Sequence, residues 1–285
     1  MTRQIFIHIG FGRCSTTTLQ TNIFYKLAEK KNLNYIYGKS LISQKTIIKK
    51  NYDNDLNYKI YLEKINELSK SNINNIFLSD ESLICSTGRV WCPSTYDESL
   101  EKNLKFFGPN VNILITIRKP SDWLLSIFSR LSDGVPFEKF FLNKNQFENS
   151  DQIKKFLITD FDYDRIIEKY KARFRNVFIV KYEELNELKF LSKLFNINQN
   201  DLKDFQKIYE ATVIRRGYRN YYTFKTNQIF GVLNKYLNFS KFFNYEKALN
   251  VLDKIYPNKK IHFDFEKIGV DIQELDRKYN KIPSI

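Results

Sequence analysis

The sequence has few of the residues on which several common kinds of site depend. Only two of its 285 residues are histidine, and three are cysteine: Cys14, Cys85 and Cys92. A small, odd number of cysteines does not form a disulfide framework, which favours a reducing compartment. No uncharged apolar run approaches the length that spans a bilayer, and none resembles a secretory leader. We therefore expect a soluble, cytoplasmic protein with no membrane span.

A lysine is missing from the most informative segment, which begins at Gly10. A run of β-favouring residues leads into Gly10 and Gly12, and an amphipathic helix follows the hydroxyl and thiol side chains of residues 14–17. Free N–H groups and the positive end of that helix would converge on one anion. In the nucleotide-triphosphate pattern G-x-x-x-x-G-K-[ST], Ser15 takes the place of the second glycine and Thr16 that of the lysine. The loop is therefore not built like that of an ATPase or a GTPase.

The composition fits one α/β unit with a basic surface. Its length and its 42% hydrophobic content allow a sizeable core. We predict a single domain over residues 1–285, with a core at about 4–196 and a helical C-terminal extension at about 199–285. The net charge of +14 has two explanations, a solvated surface or anionic ligands such as nucleotides, acidic glycans or nucleic acid.

Four strand patterns alternate with helical patterns, as in a parallel sheet with crossover helices. The strands are predicted at residues 4–9, 75–79, 111–117 and 177–181. The helices are predicted near residues 16–30, 56–70, 98–107, 121–131, 163–174 and 183–195. This rhythm predicts a P-loop-type three-layer sandwich, in which helices flank a central parallel sheet. Ligand-binding residues are expected just after each strand, at the carboxyl edge of the sheet.

A second anion site is predicted after the third strand. Arg118 follows that strand, Pro120 ends it, and Ser126 lies about two turns into the next helix. An arginine and a hydroxyl in these places can share one phosphate. The alternative is an ion pair between Arg118 and a local carboxylate.

Together, these two motifs resemble the sulfotransferase family, including its bacterial-type members. That family has a phosphosulfate-binding loop after the first strand, and an arginine followed eight positions later by a serine, here Arg118 and Ser126. The segments at 178–185 and 136–141 are similar to later parts of the same family, so the resemblance covers roughly residues 4–196 in order. It implies that the donor 3′-phosphoadenosine 5′-phosphosulfate lies between residues 10–18 and the Arg118/Ser126 pair. No metal is implied, because protein cations replace it.

The resemblance also implies roles for individual residues. Glu81, in a Ser-x-Glu setting after the second predicted strand, takes the place of the base, with Asp80 beside it as another candidate. Arg13 stands where the family usually has lysine, and is assigned to the bridging oxygen and the 5′-phosphate. The donor-binding residues are Gly12, Arg13, Cys14, Ser15, Thr16, Thr17, Thr18, Arg118, Ser126, Arg215, Arg216 and Gly217.

Several of these residues and both histidines carry alternatives. Cys14 is interpreted as loop packing rather than as a nucleophile, and Thr18 can equally face the sheet. Arg215 and its two successors can equally form a solvent-facing basic turn. His8, inside a strand, is interpreted as a satisfied core histidine, and His262 has no motif around it. Ser15 replaces the usual glycine, so a positive φ there would cost about 1 kcal/mol.

The main hypothesis is therefore transfer of a sulfonyl group to a hydroxyl or amine of a glycan, lipid or small metabolite. The partners expected are the nucleotide donor and an unidentified acceptor, for which anionic compounds and carbohydrates are the candidate classes. Two alternatives stay open: a nucleotide or small-molecule kinase with a degenerate loop, and a basic nucleic-acid-binding protein.

Overall fold

A five-stranded parallel sheet forms the centre of the molecule. The computed structural model describes residues 4–11, 14–31, 33–38, 40–41, 54–70, 75–84, 96–131, 162–215 and 271–285. The strands are β1 (Gln4–Gly10), β2 (Asn34–Tyr37), β3 (Asn75–Ser79), β4 (Asn112–Ile117) and β5 (Asn176–Lys181). Their order across the sheet is β2-β3-β1-β4-β5, and every neighbouring pair is parallel. The predicted α/β fold class, in which helices flank a central parallel sheet, is confirmed.

Helices connect these strands. They are α1 (Thr16–Thr18), α2 (Phe24–Lys31), α3 (Asn54–Leu68), α4 (Tyr96–Phe107), α5 (Pro120–Leu131), α6 (Tyr163–Lys171), α7 (Lys189–Phe195), α8 (Gln199–Arg215) and α9 (Ile272–Lys281). A π-helical turn (Leu19–Ile23) joins α1 to α2, and the Tyr35 hydroxyl donates to the Gln20 carbonyl in this turn over 2.9 Å. Within the described ranges, no helix is both long and apolar enough to cross a membrane.

The strands alternate between two cores, one on each face of the sheet. On β1, Ile7 and Ile9 enter the core formed with α3, α4, α5, α6 and α9, whereas Phe6 enters the core formed with α2, α7 and α8. Burying alternate side chains on opposite faces gives a sheet covered on both sides. The three layers follow from this alternation.

The structure differs from the sequence prediction in two connections. The sequence does not predict the edge strand β2, because only one of its four side chains is aliphatic. The other three residues are partly exposed. The predicted helix over 183–195 is instead a 3₁₀ turn (Tyr182–Glu184) followed by α7. The break lies at Leu188, which is fully buried and has a left-handed φ of 49°.

The C-terminal part is helical where the structure describes it, at α8 and α9. Helix α9 lies against α5 and α6. The Asp276 carboxylate accepts from the Ser121 N–H in the first turn of α5 over 3.1 Å, and the Ile285 N–H donates to the Ile179 carbonyl of β5 over 3.0 Å. The end of the chain therefore packs beside the carboxyl edge of β4 and β5.

Candidate anion-binding and transfer site

The segment of residues 10–18, here called the anion loop, begins in the middle of the sheet. β1 lies between β3 and β4, with His8 opposite Ser79 and Gly10 opposite Thr116. The Phe11 N–H donates to the Thr116 carbonyl over 3.1 Å, and the Asp80 N–H donates to the His8 carbonyl over 3.0 Å. Residues that follow β3 and β4 therefore flank the anion loop on its two sides.

Gly10 is required by close packing. A Cβ atom at this position would lie 2.2 Å from Thr116 Oγ1 and 2.6 Å from Thr16 Cγ2. The sequence predicts that Gly10 permits a tight turn, but Gly10 ends the strand without a positive φ. It allows the start of α1 to approach β4 closely.

Ser15 has a positive φ, the backbone conformation expected to be unfavourable for a residue other than glycine at this position. Its φ is 56° and its ψ is 17°, in the left-handed region. A residue other than glycine costs on the order of 1 kcal/mol there. Ser15 precedes α1, yet its side chain makes no capping hydrogen bond to that helix. Its hydroxyl therefore does not compete with an anion for the N–H groups at the helix start, and instead lies 3.3 Å from the hydroxyl of Tyr209.

The other loop side chains divide into buried and exposed. Cys14 is 0% exposed and lies in the core, and its N–H donates to the Phe11 carbonyl over 3.3 Å. This burial agrees with its interpretation as loop packing. Thr16 and Thr18 are also buried, whereas Thr17 is exposed at the start of the helix. Thr17 is the hydroxyl best placed to meet a ligand from solvent.

The two carboxylates after β3 differ in their surroundings. Asp80 is buried, accepts from the Ser82 N–H over 2.8 Å and also accepts from the Tyr61 hydroxyl. Glu81 is partly exposed, and its Oε2 accepts from the Thr16 hydroxyl over 2.5 Å. A carboxylate has a second oxygen that can accept another proton donor. Glu81, rather than Asp80, is therefore the carboxylate that lies against the anion loop.

Arg118 lies on the opposite side of the anion loop, directly after β4. Its guanidinium carbon lies 4.2 Å from the centre of the Tyr182 ring, and its carbonyl accepts from the Tyr163 hydroxyl over 3.0 Å. Stacking on an aromatic ring orients the planar guanidinium. Ser126 is in α5 and is partly buried.

Part of the predicted site cannot be placed. Gly12, Arg13, Arg216 and Gly217 lie outside the described residues. Arg215 is the last residue of α8, and its side chain also lies outside them.

A buried polar group beneath the anion loop joins three strands. His8 is 0% exposed; its Nδ1 lies 2.6 Å from Ser79 Oγ, and its Nε2 lies 3.4 Å from Thr116 Oγ1. Burial lowers the pKa of His8 to about 3, so the ring is neutral at physiological pH. This placement agrees with the interpretation of His8 as a satisfied core histidine.

Sequence reasoning missed Tyr209 as a neighbour of the anion loop. It is 194 residues from Ser15 and belongs to an ordinary helical pattern, so only the helix packing reveals the contact.

No group of three or more histidine, cysteine, aspartate or glutamate side chains with a metal-binding arrangement occurs among the described residues.

Comparison with known proteins shows no family for this chain. No family model matches the sequence, and no curated protein matches it significantly. Shikimate kinase from Bacteroides thetaiotaomicron is similar in structure at 14% identity and a TM-score of 0.34, over 68% of this chain and 99% of that chain. A gluconokinase from Sinorhizobium meliloti 1021 has 10% identity and a TM-score of 0.25, over 74% of this chain and 92% of that chain. Both are named as kinases, the alternative of the sequence analysis rather than its main hypothesis, but likenesses this weak carry no argument about function.

Proposed function

We propose that this protein is a sulfotransferase that moves a sulfonyl group from 3′-phosphoadenosine 5′-phosphosulfate to a hydroxyl or amine of a glycan, lipid or small metabolite. The observation that carries the proposal is the pair of groups on either side of the anion loop. Glu81 bonds to Thr16 on the β3 side, and Arg118 stacks on Tyr182 on the β4 side. In this proposal Glu81 is the base and Arg118 is the cation on the other side of the anion loop.

The residues supply what sulfonyl transfer needs. An acceptor oxygen forms a bond to sulfur while the bond from sulfur to the 5′-phosphate oxygen breaks, and the acceptor proton passes to Glu81. The exposed Thr17 hydroxyl and the start of α1 stabilise the oxygens that carry developing charge. Arg13, one of the assigned residues outside the described ranges, would offset the charge on the departing bisphosphate. Arg118 would hold the 3′-phosphate with Ser126.

Phosphoryl transfer is the second candidate, and the Thr16–Glu81 bond favours it. A hydroxyl of the loop helix beside a carboxylate that follows the neighbouring strand is similar to the pair that holds Mg²⁺ in P-loop nucleotide triphosphatases, although the pattern there gives that hydroxyl to Thr17, one residue after Thr16. Against this candidate, Thr16 occupies the place of the lysine that cradles nucleotide phosphates. The two candidates differ in whether the protein recognises a 3′-phosphate.

Replacing Arg118 by alanine tests this recognition. We expect R118A to weaken binding of adenosine 3′,5′-bisphosphate by about 10- to 100-fold, since a charge-assisted bond to the 3′-phosphate is lost. Binding of adenosine 5′-phosphate should change by less than about 3-fold, because it lacks that group. Titration calorimetry with both nucleotides measures the difference.

The matched control is R173A. Arg173 is an exposed arginine that forms an ion pair with Glu101 at 3.4 Å, away from the anion loop. It should leave both affinities unchanged. Equal losses for the two nucleotides in R118A would contradict the assignment of the 3′-phosphate to Arg118.

A further inference from the structure

A strained serine in the anion loop has a partner on a distant helix. Ser15 keeps a left-handed backbone with φ 56°, and its carbonyl accepts from the Leu19 N–H over 3.0 Å, which begins the helical ladder. The conformation of Ser15 therefore sets the direction of the N–H groups at the start of α1. Any contact that fixes Ser15 also fixes the anion-binding end of the helix.

Tyr209 provides such a contact from α8. Its side chain is 2% exposed, and its hydroxyl lies 3.3 Å from Ser15 Oγ. Helix α8 packs against both α1 and the π-helical turn that follows it. Burial raises the pKa of Tyr209 to about 12, so its hydroxyl stays protonated and can donate at neutral pH.

We propose that Tyr209 is a positioning residue of the anion loop: its hydroxyl holds Ser15 in the left-handed conformation that the loop needs to bind a nucleotide phosphate. This inference rests on the proposed function only in taking a nucleotide as the ligand. A glycine would adopt the same backbone unaided, so the tyrosine is needed because the chain has serine at this position.

The position of Tyr209 on α8 links the anion loop to a second part of the predicted site. Arg215 ends the same helix six residues later, which is about 9 Å along the helix axis. One rigid element therefore supports the anion loop and carries the first residue of the predicted basic segment at 215–217. Movement of α8 would change both places together.

The test is a double-mutant cycle with Y209F and S15G. We expect Y209F alone to weaken binding of adenosine 3′,5′-bisphosphate by about 3- to 10-fold, as expected for a neutral hydrogen bond. In the S15G background the same change should cost less than about 2-fold, because glycine keeps the backbone conformation without the tyrosine. Rescue by glycine separates positioning of the backbone from a general loss of packing.

The control is Y58F. Tyr58 is also buried and donates to Asn103 Oδ1 over 3.0 Å, but it lies in the other core. It should lower the thermal stability about as much as Y209F and leave nucleotide affinity unchanged. An equal loss of affinity for Y209F with serine or with glycine at position 15, or no loss with serine, would overturn the proposal.

If the wild-type protein does not bind the bisphosphate, that result contradicts the proposed function alone. Hydrogen exchange then tests the role of Tyr209 without a ligand. Exchange of the Leu19 amide, whose N–H donates to the Ser15 carbonyl, should then be faster in Y209F than in the wild-type protein, and unchanged by Y209F in the S15G background. Equal exchange in Y209F and the wild type, or equal acceleration in both backgrounds, would overturn the role of Tyr209.

Discussion

At the scale of single residues, two adjacent carboxylates after β3 have separate roles. Asp80 accepts from Ser82 and Tyr61 and is enclosed so closely that a Cβ atom on Gly38 would lie 2.4 Å from its Oδ2. It organises the turn after the strand. Glu81 is left to interact with the anion loop through Thr16. The sequence identifies both carboxylates as candidates. It does not predict their different partners, because these depend on how β2 and α3 pack in the fold.

These separate roles predict that the E81Q substitution lowers turnover but leaves nucleotide binding nearly unchanged. The glutamine keeps the shape and can still accept from Thr16, but it cannot take up a proton. We expect affinity for adenosine 3′,5′-bisphosphate to change by less than about 2-fold and donor turnover to fall by ~10²–10⁴. Turnover is measured as release of bisphosphate from the phosphosulfate donor, with water or an identified acceptor.

E101Q is the matched control for this change. Glu101 is an exposed glutamate on α4 whose ion pair lies away from the anion loop. Its replacement should leave both quantities unchanged. Wild-type turnover in E81Q would show that Glu81 is not the base.

Other residues show the limits of sequence reasoning at this scale. The strain at Ser15 is predictable, because the resemblance to sulfotransferases places a glycine there and the structure has φ 56°. Its partner Tyr209 is not predictable, since helical periodicity says that a residue is buried but not what it contacts. Gly10 is predicted as a turn residue, but its role in packing depends on Thr116 from another strand.

At the scale of elements, His8 couples β1 to both of its neighbours. Its ring lies against Ser79 of β3 and Thr116 of β4, directly below the packing contact of Gly10. Burial holds the pKa of His8 at about 3 in the folded protein, against an ordinary value of 6.5 in the unfolded chain. The folded state therefore requires the neutral ring.

This shift predicts a loss of stability in mild acid. The unfolded chain takes up a proton as the pH falls through 6.5, whereas folded His8 does not until about pH 3, so the free energy of unfolding falls in that window. The contribution of His8 amounts to about 2 kcal/mol at about pH 5. Urea unfolding of wild type and H8Q over this range measures it. H8Q should be less stable at neutral pH but lose about 2 kcal/mol less on acidification.

The second histidine provides the control for this prediction. H262Q also removes one titrating imidazole, so both variants remove one imidazole charge from the unfolded chain. The pH dependence should change in H8Q and persist in H262Q. The opposite pattern would show that His8 is not the group responsible.

Most elements are predictable from their periodicity, and the exceptions have physical causes. The four predicted strands are nearly continuous in apolar residues because both of their faces are covered. Strand β2 lies at the sheet edge and has only Ile36 as an aliphatic residue, so its pattern is weak. The sequence does not indicate the left-handed position in this break, since a buried leucine, Leu188, occupies it instead of glycine or asparagine.

At the scale of the whole molecule, the strand order brings the distant motifs to one edge. Because β1 lies between β3 and β4, the anion loop, Glu81 and Arg118 come to one edge of the sheet although they lie far apart in the sequence. The alternation of strands and helices predicts the sheet. It does not predict the acceptor, because the composition of the segments at 39–55, 86–97 and 132–160, to which the sequence assigns acceptor specificity, does not select one sugar or lipid.

The net charge of +14 is also compatible with nucleic acid as the ligand. Affinity for nucleic acid would fall steeply with salt and would not require a 3′-phosphate on a mononucleotide. A two-site mononucleotide pocket predicts a different preference, for phosphates at both ends of one adenosine. Binding of mononucleotides is therefore the decisive property.

Calorimetric binding of adenosine 3′,5′-bisphosphate in the presence of a metal chelator tests the central claim most directly. We expect the bisphosphate to bind equally well with and without chelator, and at least about 10-fold more tightly than adenosine diphosphate with Mg²⁺, because Arg118 adds a charge-assisted bond to the 3′-phosphate. Tight binding of adenosine di- or triphosphate that requires Mg²⁺, together with no preference for the 3′-phosphate, would contradict the account and identify phosphoryl transfer instead.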